Sequence, residues 1–245
     1  SSAAKEYMRV YGVLVGKKPL IFTNNDSGYE TAIEFKKNGI NSLILDTRKN
    51  PSSDIINEAK NLNIKIKFSH VVVVAKGYKK VKSADIAKIS DNKKELSKIE
   101  NIECDCICVS GFWTPSIHLA SQSGNKSEFN EKIDAFVPKK SKQKENTIGS
   151  ANGIFTLEET IKDAFDKGYD VSNKITKNNI KSSIPTVVEK KSTEHDKFWC
   201  VPLPKGKSYK RFLDFQNDVA VSDIELALRE GFRSIEHVKR YTTLG

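Results

Sequence analysis

Between residues 18 and 68 short apolar runs alternate with amphipathic stretches, and this alternation constrains the fold more than any other feature of the chain. KPLIFT (18–23) is an apolar run bounded by turn residues, which predicts a buried strand. DSGYETAIEFKKNG predicts a helix, with Tyr29, Ala32, Ile33 and Phe35 on one stripe and Gly39 closing it. NSLILDT is a second strand. PSSDIINEAKNLN is a second helix, with Pro51 in the first-turn region and Ser52 or Ser53 at the cap. IKIKFSHVVVVAKG is a third strand passing into a hairpin or meander, VVVVAKGYKKVKSADIAKI. After the polar turn SDNKKE comes one more strand, CDCICVSG. Strand, helix, strand, helix, strand is one half of a doubly wound nucleotide-binding sheet. Crossovers this short are right-handed, so the sheet is expected to be parallel. The fold expected is α/β: a Rossmann-like three-layer dinucleotide-binding domain with an inserted β-meander, followed by a small α+β module.

The 245 residues suffice for one large domain or two modest ones, and a 38% hydrophobic, 29% charged composition is that of a globular chain. No apolar run approaches the roughly 20 residues that span a bilayer, so no membrane partner is expected. The start, SSAAKEYMRVYG, has no apolar signal core and no initiator methionine, and is expected to open just before a strand. The chain reads as a piece of a longer one, cytoplasmic by default. Its net charge of +10 comes mostly from scattered lysines. The densest cluster, PKKSKQK at 138–144, has no aromatics interleaved, so nucleic acid is not an expected partner. Cys104, Cys106 and Cys108 alternate along CDCICVS, which puts all three on one face of a strand. That is not the C-x2-C spacing of a zinc or redox site, and with Cys200 they read as reduced thiols.

Residues 1–126 are expected to form the nucleotide-type domain. Beyond Lys126 the pattern weakens: FVPKKSKQKEN is loop, TIGSANG a short strand and glycine turn, FTLEETIKDAFDKG an amphipathic helix. Residues 170–197, rich in Lys, Ser and Asn, read as a linker. In 198–245, FWCVPLP is extended and RFLDFQND opens a terminal module. VSDIELALREG is a helix with Ser222 as N-cap and Glu225 completing a capping box. SIEHVKRYTTLG is another helix, capped by Ser234 and stopped by Gly245.

The joint FTNNDSGYETA (22–32) is where a dinucleotide fold places its glycines, yet it holds only Gly28. A helix N-terminus offers free N–H groups and a positive dipole end, so it holds phosphate without special side chains. Asn24, Asn25, Asp26 and Ser27 keep hydrogen-bonding capacity but add bulk, and Asp26 adds an anion. Asp46 ends the second strand 20 residues beyond Asp26, the place of the acid that binds an adenosine ribose. An aspartate there favours NAD over NADP, with Arg48 nearby acting the other way. Two readings stay open: a glycine-poor nucleotide turn, or an ordinary capped turn.

Three stretches carry a family resemblance. YGVLVGKKPLIFTNNDSGYETA resembles the segment of heterotetrameric sarcosine oxidase α subunits that carries a FTNND(S) turn. CDCICVSGFWTPSIHLASQSGNK resembles their strand followed by SGGWTPxxHLxSQSGG. DFQNDVAVSDIELALREGFRSIEHVKRYTTLG is similar to their DFQNDVT…DI…REG…SVEHxKRYTTLG. Residues 127–197 match only loosely. The resemblance implies an internal fragment of that subunit: a pyridine-nucleotide-type domain, the return segment of a companion dinucleotide domain at 127–169, and at 198–245 a module like a cluster-binding domain. The C-terminal folate-binding domain, which would take tetrahydrofolate, is not in this chain. The resemblance further implies NAD on the α subunit, with Thr23–Ser27, Asp46, Ser110, Gly111 and Trp113 as the cofactor-binding residues of this chain. It implies FMN at the interface with the β subunit, and β and small subunits as partners. Sarcosine would be oxidised to glycine with H2O2 and methylenetetrahydrofolate formed. A related amine substrate, dimethylglycine or an opine, belongs to the same class. The alternative class is a non-catalytic binding and assembly module.

Departures from the family pattern carry their own expectations. Leu213 and Phe215 stand where related amine oxidoreductases have a C-x-C pair, and thiolates are obligatory ligands there, so no iron–sulfur cluster is expected. Ser150 stands where related flavoproteins have an aspartate on the flavin's sugar-like chain, which speaks against FAD on this chain. Gly111-Phe112 replaces Gly-Gly. His118, in a loop beyond a strand end, is a candidate base or phosphate contact. His237, with Lys239, Arg240 and Tyr241, is a candidate for the FMN phosphate. His70 is read as a strand residue and His195 as linker. No catalytic residue is expected in the fragment, which would be inert alone.

Overall fold

The computed structural model describes residues 1–111, 113–139, 141, 143–176, 183–187 and 196–245. Phe112, Lys140, Lys142 and His195, singled out above, lie outside the described residues. Four strands form the central sheet: β1 (Pro19–Thr23), β2 (Leu43–Asp46), β3 (Lys65–Phe68) and β7 (Cys106–Ser110). They lie in the order β3-β2-β1-β7, every pair parallel. The chain turns outward from β1 in both directions, as a doubly wound sheet requires. The register aligns Ile66, Ile44, Ile21 and Cys108 in one row across the sheet. Because side chains alternate along a strand, that row faces one layer and its neighbours face the other.

The first layer is helical. Helix α2 (Ser27–Lys37) and helix α3 (Asp54–Asn61) cover the Ile21–Ile44 face with Tyr29, Ala32, Phe35, Ile56 and Ala59, all fully buried. Gly39, at φ 76°, turns the chain out of α2 at no steric cost. The second layer is an antiparallel meander of β4 (His70–Gly77), β5 (Val81–Lys88) and β6 (Glu100–Glu103). It packs Ala84, Ile86 and Val72 against Leu20, Leu45 and Phe22 on the opposite face. The domain is thus the three-layer, Rossmann-like α/β arrangement expected, with the meander inserted between β3 and β7.

Several local expectations are corrected. The chain opens not before a strand but in a helix, α1 (Ser2–Val10), tied to α2 by the ion pairs Lys5–Glu30 and Arg9–Glu34. Pro51 lies ahead of α3 rather than in its first turn, and Ser53 is the cap residue. The three alternating cysteines do not share a face. CDCICVSG is broken at Asp105, whose carboxylate accepts the Lys17 and Lys18 N–H groups, both at 2.8 Å. Cys104 therefore ends the meander side and packs in the second layer, while Cys106 and Cys108 face the helices. Their sulfurs lie 3.7 Å apart.

Beyond the sheet domain come a short helix α4 (His118–Gln122) and a hairpin of β8 (Ser127–Asn130) and β9 (Ala135–Pro138), so FVP is strand rather than loop. TIGSANG contains no strand: a single 3-10 turn spans Gly149–Asn152. Helix α5 (Leu157–Thr176) runs seven residues into the stretch read as linker, from Asp170 to Thr176. Lys, Ser and Asn in that stretch are compatible with a solvated helix end, which composition alone does not separate from a linker. The terminal module pairs β10 (Phe212–Asp214) with β11 (Val219–Ala220) and adds α6 (Val221–Arg229) and α7 (Ile235–Thr242). Its cap is not Ser222. The N-cap is Ala220, two residues earlier, and the Ala220 N–H donates to the Asp223 carboxylate at 2.8 Å. Ser234 caps α7 as expected, but Thr243, in the left-handed region at φ 59°, ends it two residues before Gly245.

Candidate functional site

In open parallel sheets ligands gather beyond the carboxyl ends of the strands. Here Thr23, Asp46 and Ser110 end β1, β2 and β7, and the FTNND turn leads from β1 into α2. The turn satisfies itself. Thr23 Oγ1 accepts from the Asn25 N–H at 3.2 Å and donates to the Asn25 carbonyl at 2.8 Å. The Asn25 side-chain oxygen accepts from the Ser27 N–H at 2.9 Å and from the Ser27 hydroxyl at 2.6 Å. Its amide donates to Asn24 Oδ1 and to the Gly111 carbonyl. Ser27 also meets the Ser110 hydroxyl. Asn25, not Asp26, thus takes the first free N–H of α2, a group that a phosphate would otherwise claim. Gly28 is needed for packing: a Cβ there would stand 2.6 Å from Thr23 Cβ. That is the role of the third glycine in the dinucleotide fingerprint, which lets helix and strand approach closely.

Asp46 is fully buried and committed inward. Its Oδ2 accepts from the Tyr29 hydroxyl at 2.6 Å and from Arg48 Nη2 at 2.8 Å. Its Oδ1 accepts from the Arg48 backbone N–H at 2.9 Å and from Arg48 Nε at 3.0 Å. Arg48 also donates Nη1 to Asp26 at 2.8 Å, so one guanidinium spans both acids. A buried carboxylate without such partners would be strongly destabilising. Burial alone would lower the Arg48 pKa, but its hydrogen bonds and charge contacts with Asp46 and Asp26 outweigh this and raise it. Burial, then the neighbouring Asp46 charge, raises the Tyr29 phenol. The arginine two residues beyond the acid was visible in the sequence; the tyrosine hydroxyl reaching back from α2 was not.

Above this edge lies a strap from the far end of the chain, Asp196–Val201. The Asp196 N–H donates to the Asn24 carbonyl at 2.9 Å, and Asn24 Nδ2 returns to the Asp196 carbonyl at 2.8 Å. The Asp196 carboxylate accepts from Thr47 Oγ1 at 3.1 Å and from Lys93 Nζ. Lys93 also donates to the Lys197 carbonyl at 3.0 Å. Nothing in the sequence signals these contacts, because Asp196 is separated from Asn24 by 172 residues. Between strap and strands remains a cavity of about 190 Å³, lined by Thr23, Asn24, Ser110 and Gly111 below and Phe198 and Trp199 above. Small-molecule sites usually measure about 300–1,000 Å³. With both Asp46 oxygens engaged and the cavity this small, the residues in this conformation do not fit a dinucleotide.

The structure therefore brings Thr23, Asn24, Asn25, Asp26, Ser27, Asp46, Ser110 and Gly111 to one edge, but turned toward each other. Trp113 is 53% exposed and stands apart from the cavity lining. His118 opens α4 and is exposed, a helix residue rather than a loop one; His237 is exposed on α7. His70 Nδ1 lies 2.7 Å from the Phe68 carbonyl, a local strand contact. The Cys106 thiol is lowered to about 7, first by the hydrogen bond from Cys108, whose own thiol is raised. Among the described residues, no three His, Cys, Asp or Glu side chains are grouped to hold a metal ion. No helix among them is long and apolar enough to cross a membrane.

Comparison with known proteins bears out the resemblance. Residues 208–245 match the sarcosine oxidase A3 domain. Over its whole length the chain is 29% identical to the sarcosine oxidase α subunit of Rhizobium meliloti (strain 1021) and 26% identical to that of Corynebacterium sp. (strain P-1). It spans 24% and 26% of the length of these relatives. Among solved structures, the thioredoxin reductase of T. acidophilum aligns over 56% of this chain and 47% of its own, at TM-score 0.40 and 16% identity.

Proposed function

We propose that the chain is a segment of a sarcosine oxidase α subunit, contributing a dinucleotide-type domain and the A3 module to a multisubunit oxidoreductase. What carries this reading is the A3 match at 208–245, joined to a resemblance that runs the full chain. In the complete complex, sarcosine is oxidised to glycine, H2O2 is formed, and the one-carbon unit reaches tetrahydrofolate through a domain outside this chain. FMN lies at the interface with the β subunit, and the location is the cytoplasm. The chain supplies no catalytic residue; its part is to hold and orient neighbouring components. Inserted into its full subunit and joined by β and small subunits, it should support sarcosine-dependent H2O2 formation, and alone it should be inert. A reconstituted complex that oxidises dimethylglycine or an opine instead would move the substrate within the amine class. One that oxidises none of them would remove the reading.

NAD enters as a cofactor of the subunit, bound in one of two places. For it to lie on the Thr23–Ser27 turn, the strap must lift and Arg48 must release Asp46. Calorimetric titration of NAD into the chain decides between them. Heat with one-to-one stoichiometry puts NAD on this turn, and no heat leaves it to the companion fold. The self-satisfied turn favours a second reading of the domain by itself, as an assembly scaffold without nucleotide.

A further inference from the structure

We infer that Thr47 and Lys93 form an anion site for a phosphate-bearing small ligand, and that the carboxylate of the chain's own Asp196 fills it. The inference goes beyond the sarcosine oxidase reading and does not depend on it.

Two donors converge on the Asp196 carboxylate from separate elements: the Thr47 hydroxyl follows β2, and the Lys93 ammonium comes from the turn between β5 and β6. The Asn24 amide, after β1, holds the Asp196 backbone carbonyl instead and so docks the strap. The Lys93 backbone sits in the left-handed region at φ 58°, with its N–H on the Ser90 carbonyl at 2.9 Å. Outside glycine, asparagine and aspartate such a conformation is uncommon and persists when its surroundings hold it. The lysine is thus presented from a fixed turn rather than from a free loop. The position is the carboxyl edge of a parallel sheet, where such folds receive ligands.

The occupant is an acid. A carboxylate and a phosphate both accept charge-assisted hydrogen bonds from hydroxyl and ammonium donors. Asp196 therefore satisfies the site as a ligand anion would. It reaches the site on a segment with no regular secondary structure that also roofs the 190 Å³ cavity with Phe198 and Trp199. Lifting the strap frees Thr47 and Lys93 and opens the cavity together. Arg48 does not share in this site, because Asp46 and Asp26 hold it.

An intramolecular occupant reduces apparent affinity by the fraction of time that the site is free. If the strap is docked nine-tenths of the time or more, removing its carboxylate should raise phosphate affinity about tenfold or more. The test titrates inorganic phosphate and adenosine 2′-monophosphate by calorimetry into the full chain, wild type and Asp196→Ala. Asp196→Asn, nearly isosteric and neutral, guards against a folding defect. Expected is tighter phosphate binding in both variants, lost again when Lys93→Met is added. Tighter binding of the nucleotide than of phosphate makes the ligand a nucleotide; equal binding makes it free phosphate. Equal weak binding by wild type and variants, or binding that survives Lys93→Met, means an adventitious ion only and overturns the inference. NAD binding without any gain in the Asp196 variants would leave a dinucleotide on this turn while removing the anion site.

Discussion

Helices α2 and α5 have similar sequence character and opposite fates. Both are amphipathic, and both were recognised from their apolar spacing. Helix α2 has 11 residues and buries Gly28, Tyr29, Thr31, Ala32, Ile33 and Phe35; helix α5 has 20 and buries none. Val171 and Ile175 are exposed on it, and it packs against the Gly149–Asn152 turn. Isolated helices gain little from propensity; most of their stability in proteins comes from a covered apolar face. The sheet domain supplies that cover for α2 within about 100 residues of chain. Among the described residues α5 finds only partial cover: Ile161, Ala164 and Phe165 are half-buried and none is fully buried. The contrast shows that periodicity specifies a helix and its apolar side, whereas the partner of that side is a property of the whole assembly.

The contrast is most easily broken in the sheet domain. Phe35→Ala removes a fully buried ring and should cost about 3–5 kcal/mol of unfolding free energy. Arg48→Met leaves Asp46 buried and unpaired and should cost a similar amount, about 3–5 kcal/mol. Urea unfolding followed by circular dichroism measures both. If either lost under 1 kcal/mol, as a surface position does, the two regions would not differ as described.

Gly28→Ala comes next. Its Cβ would meet Thr23, whose backbone is held in the sheet, and overpacking of this kind costs about 1–3 kcal/mol. Thr23→Ser should recover little of that loss in the double variant, because Cβ and Oγ1, which a Cβ at position 28 would meet at 2.6 and 2.7 Å, both remain.

A pH effect follows in size. The folded state holds the Tyr29 phenol protonated well above its ordinary value of 10.0. Its contribution is complete below pH 10, where the phenol is protonated in both states. As pH rises further, only the unfolded state loses the proton, and stability falls by up to about 1.4 kcal/mol per pH unit. Tyr29→Phe should show a shallower decline between pH 10 and 11. Equal slopes would mean that the phenol is not shielded. Smallest is Ile175→Ala on α5, an exposed position expected to change global stability by less than about 0.5 kcal/mol. Its amides should exchange far faster than those of α2. A large loss at Ile175 would mean that this end of α5 is covered in solution.

How much was legible follows the same division. The parallel sheet, the meander and helices α2 and α3 were readable because strand and helix periods differ and each run was long enough to show its period. Helix α1 escaped because it is short and its N-cap makes no side-chain bond. Strand β6, ENIE, escaped because three of its four residues are polar and its pairing with β5 is a tertiary fact. The common face expected for the cysteines failed at Asp105, where two backbone bonds broke the strand. At the edge, residue identity was readable but commitment was not. Asp46 stood at the right spacing for a ribose, yet its partners Tyr29 and Arg48 had already taken both oxygens. Asp196 was invisible, because a contact across 149 residues to Thr47 leaves no local pattern.

Gly28 gives the turn a wider meaning. A fingerprint of glycines is commonly searched for as one word, but its letters answer to different demands. Some let a pyrophosphate approach the backbone; another lets a helix lie against a strand. In this chain Asn24, Asn25 and Asp26 stand where a fingerprint would put its ligand-side glycines, while Gly28 keeps the packing position against Thr23. Architecture and cargo are thus spelled independently, and a chain can drift away from the cargo's spelling while still writing the architecture in full.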